Sequence, residues 1–261
     1  MFIDSHAHIH MLVKEKGCQI SEIIDEMKKN SVGAVMNICG NEDELIFSQQ
    51  IRSAFSDSGI SFFSVAGFHP HEAEKFIDSP TRWISDNSDS ITAVGEIGLD
   101  FHYDFSPRET QRKMLRKMTD LSLELQKPLI IHGRNGEDEI IETLLEYGLK
   151  DKKVLFHCYT GSLETAMKIF KNGWYLSFSG IVTFNRSIEL QKILENSPVD
   201  RIFFETDSPF LAPVPFRGKV NTPAKVRYVY EFASRFLNIE VSGMQKKVKD
   251  NFERFLNIKM P

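Results

Sequence analysis

Histidine and carboxylate side chains recur in this sequence directly after short apolar runs. Six of them have the chemistry of metal ligands: His6, His8, Glu96, His132, His157 and Asp207. Imidazole nitrogens and carboxylates without a thiolate suit zinc, magnesium or manganese, or a related divalent ion. Six ligands exceed what one tetrahedral ion needs. We therefore predict two divalent ions about 3.5 to 4 Å apart, which would activate water for a hydrolytic reaction.

The spacing of the first two histidines supports this prediction. His6 and His8 are two residues apart, so on an extended strand both side chains point to the same side and can bind one cation. A His-x-His pair alone is a weak signal, but it joins four further candidates at independent strand ends. Glu96 is the natural bridge between two ions, because a carboxylate has two oxygens to share.

Eight apolar runs must position these residues, and they alternate with amphipathic stretches. The runs cover residues 2–4, 33–38, 61–66, 91–94, 128–131, 153–156, 174–178 and 201–204. This alternation is typical of βαβ units with a parallel sheet. Eight strands close a barrel, and 261 residues is close to the usual length of a (β/α)8 TIM barrel. Such barrels build their active sites at the C-terminal strand ends, where the six candidates fall.

The stretches between the runs have helical periodicity. One apolar stripe comprises Ile20, Ile23, Ile24 and Met27, and another comprises Met114, Met118, Leu121 and Leu125. Residues 241–256 predict a terminal amphipathic helix whose inward face carries Val248, Phe252, Phe255 and Leu256. Since no linker, repeat or low-complexity tract interrupts the pattern, we predict one domain over residues 1–261.

Composition excludes some classes of protein. The chain is 41% hydrophobic and 26% charged with a net charge of −4, and no apolar run approaches the roughly 18 residues of a membrane span. No secretory signal is visible, so we expect a cytoplasmic protein. Three scattered cysteines, Cys18, Cys39 and Cys158, are expected to be free thiols. The acidic balance does not attract polyanions, so a nucleic-acid substrate would need a local basic rim and bound cations.

The sequence resembles the TatD family of metal-dependent deoxyribonucleases nearly from end to end. The matching segments are residues 4–8 (DSHAH), 67–71 (GFHPH), 94–100 (VGEIGLD), 128–132 (PLIIH), 157–162 (HCYTGS) and 205–211 (ETDSPFL). The resemblance implies that His6, His8 and Glu96 bind one ion, while Glu96, His132 and His157 bind the other.

The same resemblance makes Asp207 both a ligand and the proton acceptor for the attacking water. A carboxylate beside activated water can act as a general base and then protonate the leaving oxygen. The alternative is that Asp207 caps the turn before Pro209. Asp207 and Glu96 are therefore the predicted catalytic residues.

His69 ends the third run without completing a metal spacing. Family similarity suggests that it contacts the scissile phosphate, and a structural role in the Pro70 turn is the alternative. His71 is interpreted as a helix-start residue. His10 and His102 have no strand-end position, and we leave them out of the metal set.

Two arginines are further candidates for phosphate contacts. Arg134 follows His132, and its guanidinium fork matches phosphate oxygens. Arg217 lies in the polar loop 216–223, which is either a phosphate-contacting rim or a solvated connection. At Asn135 many family members have an acidic residue, so a contact behind the metal ligands is in doubt here.

The leading hypothesis is hydrolysis of DNA phosphodiester bonds, as an exonuclease acting on single-stranded 3′ ends. One alternative is a related barrel hydrolase that cleaves an ester or amide, including deacylation of aminoacyl-tRNA. Another is a nucleic-acid-associated protein that has lost activity, although an intact six-residue set argues against it. We expect no membrane and no stable protein partner, and the sequence alone leaves the physiological substrate and the metal open.

Overall fold

The apolar runs form parallel strands that are buried on both faces, as expected when helices cover a parallel sheet. A computed structural model describes residues 1–79 and 81–260. Its strands are β1 (Phe2–Ala7), β2 (Val32–Cys39), β3 (Ser61–Ala66), β4 (Ala93–Asp100), β5 (Leu129–Arg134), β6 (Val154–Phe156), β7 (Tyr175–Phe178) and β8 (Ile202–Phe204).

The eight strands form one sheet in chain order, and each is parallel to the next. A bridge between Ala7 and Ser208 joins the first strand to the segment after the last one. We call this junction between the first and last strands the seam of the barrel. Near it, the hydroxyl of Tyr230 donates a hydrogen bond to the carbonyl of Ile3 in β1, 3.1 Å away. The predicted (β/α)8 TIM barrel is confirmed.

Helices alternate with the strands on the outside of the barrel. They are α1 (Ile9–Lys14), α2 (Ile20–Lys29), α3 (Glu42–Asp57), α4 (Ala73–Phe76), α5 (Arg82–Asp86), α6 (Arg108–Leu125), α7 (Glu137–Glu146), α8 (Leu163–Lys171), α9 (Ile188–Glu195), α10 (Val226–Phe236) and α11 (Val241–Leu256). Short 3-10 turns cover Pro70–Glu72, Ser88–Ser90, Gly180–Thr183, Val199–Arg201 and Pro223–Lys225.

The predicted apolar stripes face the core. In α11, Val248, Phe252 and Phe255 are buried, and Leu256 packs against the core at its edge. Buried Asn251 holds the same helix to the barrel, because its amide donates to the carbonyls of Val199 and Ile202. Within the described residues, every helix is too short or too polar to cross a membrane.

Strand boundaries differ from the prediction where the candidate residues lie. The third strand coincides with its predicted run, but β1, β4 and β5 continue past theirs to Ala7, Asp100 and Arg134. Gly98 in β4 still pairs with His132 in β5. The apolar pattern stops earlier because side chains at the barrel mouth are polar, whereas backbone pairing does not depend on side-chain polarity. His6, Glu96 and His132 therefore lie within strands rather than after them.

Candidate active site

The Glu96 carboxylate lies at the centre of the barrel mouth, and its two oxygens face different pairs of histidines. Oε2 lies 3.2 Å from His6 Nε2 and 4.0 Å from His8 Nε2. Oε1 lies 2.7 Å from His132 Nδ1 and 2.5 Å from His157 Nε2. The strands β1, β4 and β5 and the segment after β6 thus bring five candidate ligands together, in two halves that share one carboxylate.

Asp207 completes the half that contains His6 and His8. Its Oδ1 lies 3.4 Å from His8 Nε2 and 3.8 Å from His6 Nε2. The backbone of Asp207 is left-handed, with φ of 52°, a conformation that Asp tolerates better than most residues. Its amide donates to the carbonyl of His6. The turn after β8 is therefore fixed to β1 with the carboxylate directed toward the histidines.

Both central carboxylates are held in the ionised form. Burial alone would raise the pKa of Glu96, but the charge of His157 and the hydrogen bond with His132 help to outweigh it, and that pKa lies well below the usual value. Burial is likewise outweighed at Asp207, where the hydrogen bond from His8 and the charge of His6 lower the pKa. Ionised carboxylates can bind cations, and Asp207 can also accept a proton.

Two acidic residues behind the histidines fix which ring nitrogen faces Glu96. Asp100 accepts a hydrogen bond from His132 Nε2 at 3.0 Å, so Nδ1 of that ring is left toward Glu96. Glu205 Oε1 lies 3.4 Å from His157 Nδ1, which leaves Nε2 of His157 toward Glu96. Carboxylates in this position orient histidine ligands and increase their basicity. Sequence reasoning missed both residues, although both lie in segments that match the family.

Asp4 performs a related task at the seam of the barrel. Its carboxylate accepts hydrogen bonds from the amide of Thr206 at 2.9 Å and from the Thr206 hydroxyl at 2.6 Å. The amide of His6 lies 3.3 Å from the same carboxylate. Asp4 thus ties the end of β1, which carries His6, to the segment that carries Asp207. Sequence reasoning missed this contact too.

His69 reaches the site as a hydrogen-bond donor. Its Nδ1 accepts a hydrogen bond from the amide of His71 at 3.1 Å, so in the neutral ring the proton is on Nε2. That Nε2 lies 3.3 Å from Glu96 Oε1, and burial lowers the pKa of His69 to about 4. A protonated Nε2 cannot bind a metal ion but can donate to a substrate oxygen.

His71 does more than begin a helix. It lies in the 3-10 turn Pro70–Glu72 before α4, as the helix-start interpretation requires. Its Nε2 also donates to Asp100 Oδ2 at 2.7 Å, so Asp100 accepts from His71 and His132 together. Of the histidines left out of the metal set, His10 lines the mouth beside Glu44, at 3.7 Å.

The two predicted phosphate-binding arginines differ in position. Arg134 lines the mouth of the barrel, and its guanidinium has no hydrogen bond or ion pair within residues 1–79 and 81–260. Arg217 is exposed, packs over the Phe184 ring at 4.2 Å and does not line this mouth. In the same loop, buried Asn221 donates to the carbonyls of Thr206 and Phe210, so it holds the loop in place.

Asn135, where the sequence departs from the family pattern, is exposed and has a left-handed backbone with φ of 58°. Asn favours this conformation. Behind His132, the carboxylate that contacts its Nε2 is that of Asp100.

The barrel mouth forms a cavity of about 790 Å³ at the C-terminal ends of the strands. Its wall includes His8, His69, Glu96, His132, Arg134, His157 and Asp207. Histidine pairs, ionised carboxylates, a hydrogen-bond donor and a free guanidinium thus converge on one concave space.

Comparison with known proteins shows to which family this chain is related. The sequence matches the TatD-related DNase family over residues 3–257. The chain belongs to this family. Its TatD-type relatives include the Bacillus subtilis protein YabD, which is 30% identical over 99% of this chain and 100% of its own length. The protein YcfH of Escherichia coli K12 is 32% identical over 98% of this chain and 96% of its own. Both bear the description "uncharacterized metal-dependent hydrolase".

The fold agrees with solved structures of TatD-type proteins. The TatD homologue YjjV of Escherichia coli superposes with a TM-score of 0.89, covering 99% of this chain and 98% of the other, at 21% identity. The resemblance of the sequence to TatD proteins is thereby confirmed at the levels of family and fold.

The residues at the mouth fit the metal ions that the TatD resemblance implies. The Nε2 of His6, which faces Glu96, is buried and has no hydrogen-bond partner within the described part of the chain. Ligands that share a tetrahedral ion at about 2.1 Å lie roughly 3.4 Å apart, and His6 Nε2 to Glu96 Oε2 is 3.2 Å. The sets His6–His8–Glu96 and Glu96–His132–His157 each converge closely enough to share an ion.

Proposed function

We propose that this TatD-type chain is a metal-dependent hydrolase that cleaves DNA phosphodiester bonds, acting as an exonuclease on single-stranded 3′ ends. Membership of the TatD-related DNase family and the description of its relatives as metal-dependent hydrolases support the coarser part of this proposal. The observation that carries it is the Glu96 carboxylate, whose two oxygens face separate histidine pairs.

Two divalent ions would be held in the two halves of this centre. His6, His8, Asp207 and Glu96 would hold one ion, and Glu96, His132 and His157 the other. When bound, such ions polarise a phosphoryl group and lower the pKa of water. Zinc, magnesium and manganese are all compatible with nitrogen and oxygen ligands of this kind.

Asp207 is the group that moves the proton. Its ionised carboxylate lines the cavity and is partly exposed, so a water molecule can reach it. Asp207 takes a proton as the water oxygen forms its bond to phosphorus. As the bond from phosphorus to the 3′ oxygen breaks, the same carboxylate returns the proton to that oxygen.

His69 and Arg134 bind the phosphate during this step. The proton on His69 Nε2 lies on the Glu96 side of the ring and can be donated to a non-bridging phosphate oxygen. The unpaired guanidinium of Arg134 is free to form charge-assisted hydrogen bonds with the same group. Because the cavity is concave, it admits the end of a strand more readily than the interior of a duplex.

A substrate panel tests this function. The purified protein, loaded in turn with magnesium, manganese and zinc, is incubated with single-stranded and duplex DNA, RNA, aminoacyl-tRNA and simple carboxylic esters. We expect single-stranded DNA to be shortened from its 3′ end, and we expect chelation or Glu96→Ala to stop the reaction. Consumption of an aminoacyl-tRNA or ester while the oligonucleotides stay intact would replace the proposal with the deacylase alternative.

A further inference from the structure

Two exposed aromatic rings stand on the loop between β4 and α6, at the edge of the cavity. Tyr103 is 51% exposed and Phe105 is 66% exposed. The two rings are nearly parallel, with centroids 5.5 Å apart and an interplanar angle of 12°. Both line the cavity. Exposed large apolar side chains that gather beside a concave site are typical of a binding surface.

The loop that carries these rings is firmly anchored. Asp100 Oδ1 accepts hydrogen bonds from the amides of His102 and Tyr103, each at 3.0 Å. Beyond the rings, the Ser106 hydroxyl donates to the carbonyl of His71, and Gln111 donates to the carbonyl of Ser106. The backbone is therefore held at both ends of the pair while the rings remain open to solvent.

This loop is joined directly to groups of the active site. His71 meets both rings edge-on, with its centroid 5.6 Å from Tyr103 and 4.8 Å from Phe105. Asp100, which anchors the loop, also accepts the hydrogen bond from His132. Arg134 adjoins the loop on the next strand, since its carbonyl accepts from the amide of Phe101. The aromatic pair and the unpaired guanidinium of Arg134 thus line the same cavity.

The charge of the cavity favours this side for the substrate. The wall that follows β1 and β2 carries Glu15 and Glu44, whose carboxylates repel the phosphates of a nucleic-acid strand. On the side of the rings the lining includes Glu72, but its carboxylate is paired with Lys75 at 3.4 Å. Neutral ring faces cause no such repulsion. Every base has a π-face, and stacking on aromatic side chains binds single strands with little sequence preference.

We propose that Tyr103 and Phe105 form a stacking platform for an unpaired nucleobase next to the scissile phosphate of a single-stranded substrate. This inference rests on the proposed function. The platform holds the base while Arg134 and His69 hold the phosphate, so it selects strands whose terminal bases are unpaired. A duplex end must open before its base can reach the platform.

Cleavage kinetics with a matched pair of substrates test the platform. One substrate is a single-stranded oligonucleotide, and the other carries tetrahydrofuran abasic residues at its 3′-terminal positions. For the Tyr103→Ala/Phe105→Ala variant we expect the KM for the normal strand to rise about tenfold, as stacking energies per base imply. On the abasic strand, the variant and the wild type are expected to agree within about twofold.

Control variants separate stacking from general damage. Tyr103→Phe keeps an aromatic face and is expected to retain the wild-type KM. Phe236→Ala removes an exposed ring that stacks on Phe232 at 5.7 Å, on helix α10 outside the cavity wall. This variant is expected to keep the wild-type KM for both substrates.

The outcomes distinguish the two proposals. If the wild type cleaves DNA and the double alanine variant keeps the wild-type KM for the normal strand, the stacking proposal is wrong, while the proposed nuclease function is retained. An equal rise in KM for the normal and the abasic strand also contradicts the stacking proposal, because the effect then does not depend on a base. If the wild type leaves every oligonucleotide intact, the proposed function fails.

Discussion

Buried carboxylates behind the histidines determine which nitrogen each ring presents to Glu96. Asp100 and Glu205 contact the far nitrogens of His132 and His157, and Asp4 links the end of β1 to Thr206. None of these three acids faces the cavity. Their contacts organise the proposed metal ligands before any ion binds.

Replacing Asp100 is expected to weaken metal binding more than folding. Asp100→Asn removes the charge that fixes the His132 ring, and the loss of such a partner typically costs about 10- to 100-fold in metal affinity. Competition with a fluorescent chelator measures the affinity, and urea unfolding of the chelated protein measures stability. Asp104→Asn is the matched control, because Asp104 is exposed and pairs with Arg108. Equal affinities in the two variants would contradict the orienting role.

The sequence predicted the residues that face the cavity better than those behind them. His132 and His157 directly follow apolar runs, so their position was visible in the local pattern. The contacts of Asp100 and Glu205 are with side chains more than 25 residues away in the chain. No local pattern encodes such pairings. The loop position of Arg217 was equally visible, but its packing on Phe184 was not.

At the scale of elements, the site depends on close contact between β4 and β5. Gly98 has φ of +152°, and a Cβ at this position would lie only 1.8 Å from the carbonyl oxygen of His132. A side chain there would push β5, and with it the His132 ring, away from Glu96. The glycine is thus required by the backbone of the neighbouring strand.

Gly98→Ala is therefore expected to destabilise the protein by about 3 kcal/mol or more and to weaken metal binding. Urea unfolding and chelator competition measure the two effects. Gly243→Ala is the control, since its Cβ would meet its nearest atom at 3.6 Å in helix α11. That change should be neutral or stabilise by up to about 1 kcal/mol. A Gly98→Ala protein as stable as the wild type would refute the steric argument.

Strand number and order could be predicted because each buried strand is an apolar run. The C-terminal ends of β1, β4 and β5 could not be predicted, because polar residues interrupt the apolar pattern there while the backbone stays paired. The pairing of Gly98 with His132 is an example. The parts of these strands that extend beyond the predicted runs contain His6, Glu96 and His132. Buried polar groups at these strand ends interrupt the apolar pattern by which a strand is recognised.

At the scale of the whole molecule, charge restricts how a nucleic acid can bind. The net charge is −4. Three arginines of α6 are paired with acidic side chains: Arg108 with Asp104, Arg112 with Glu139 and Arg116 with Glu146. A short contact at the cavity is therefore expected, rather than a long electrostatic track.

Salt dependence measures the length of that contact. The logarithm of affinity for single strands falls with the logarithm of salt concentration by about 0.7 per phosphate contacted. With Arg134 as the unpaired guanidinium in the cavity wall, we expect a slope of about −1 to −1.5 for the KM-derived affinity between about 50 and 200 mM NaCl. A slope of about −4 or steeper would show an extended basic track that this structure does not explain.

The number of divalent ions bound per folded chain tests the divided centre around Glu96 most directly. Native mass spectrometry of the chelated protein, titrated with zinc or manganese, counts them without reference to any substrate. The wild type is expected to bind two ions, and Glu96→Ala at most one, because the two halves share that carboxylate. Saturation of the wild type at one ion, or two ions bound with unchanged affinity by Glu96→Ala, would contradict the proposed centre.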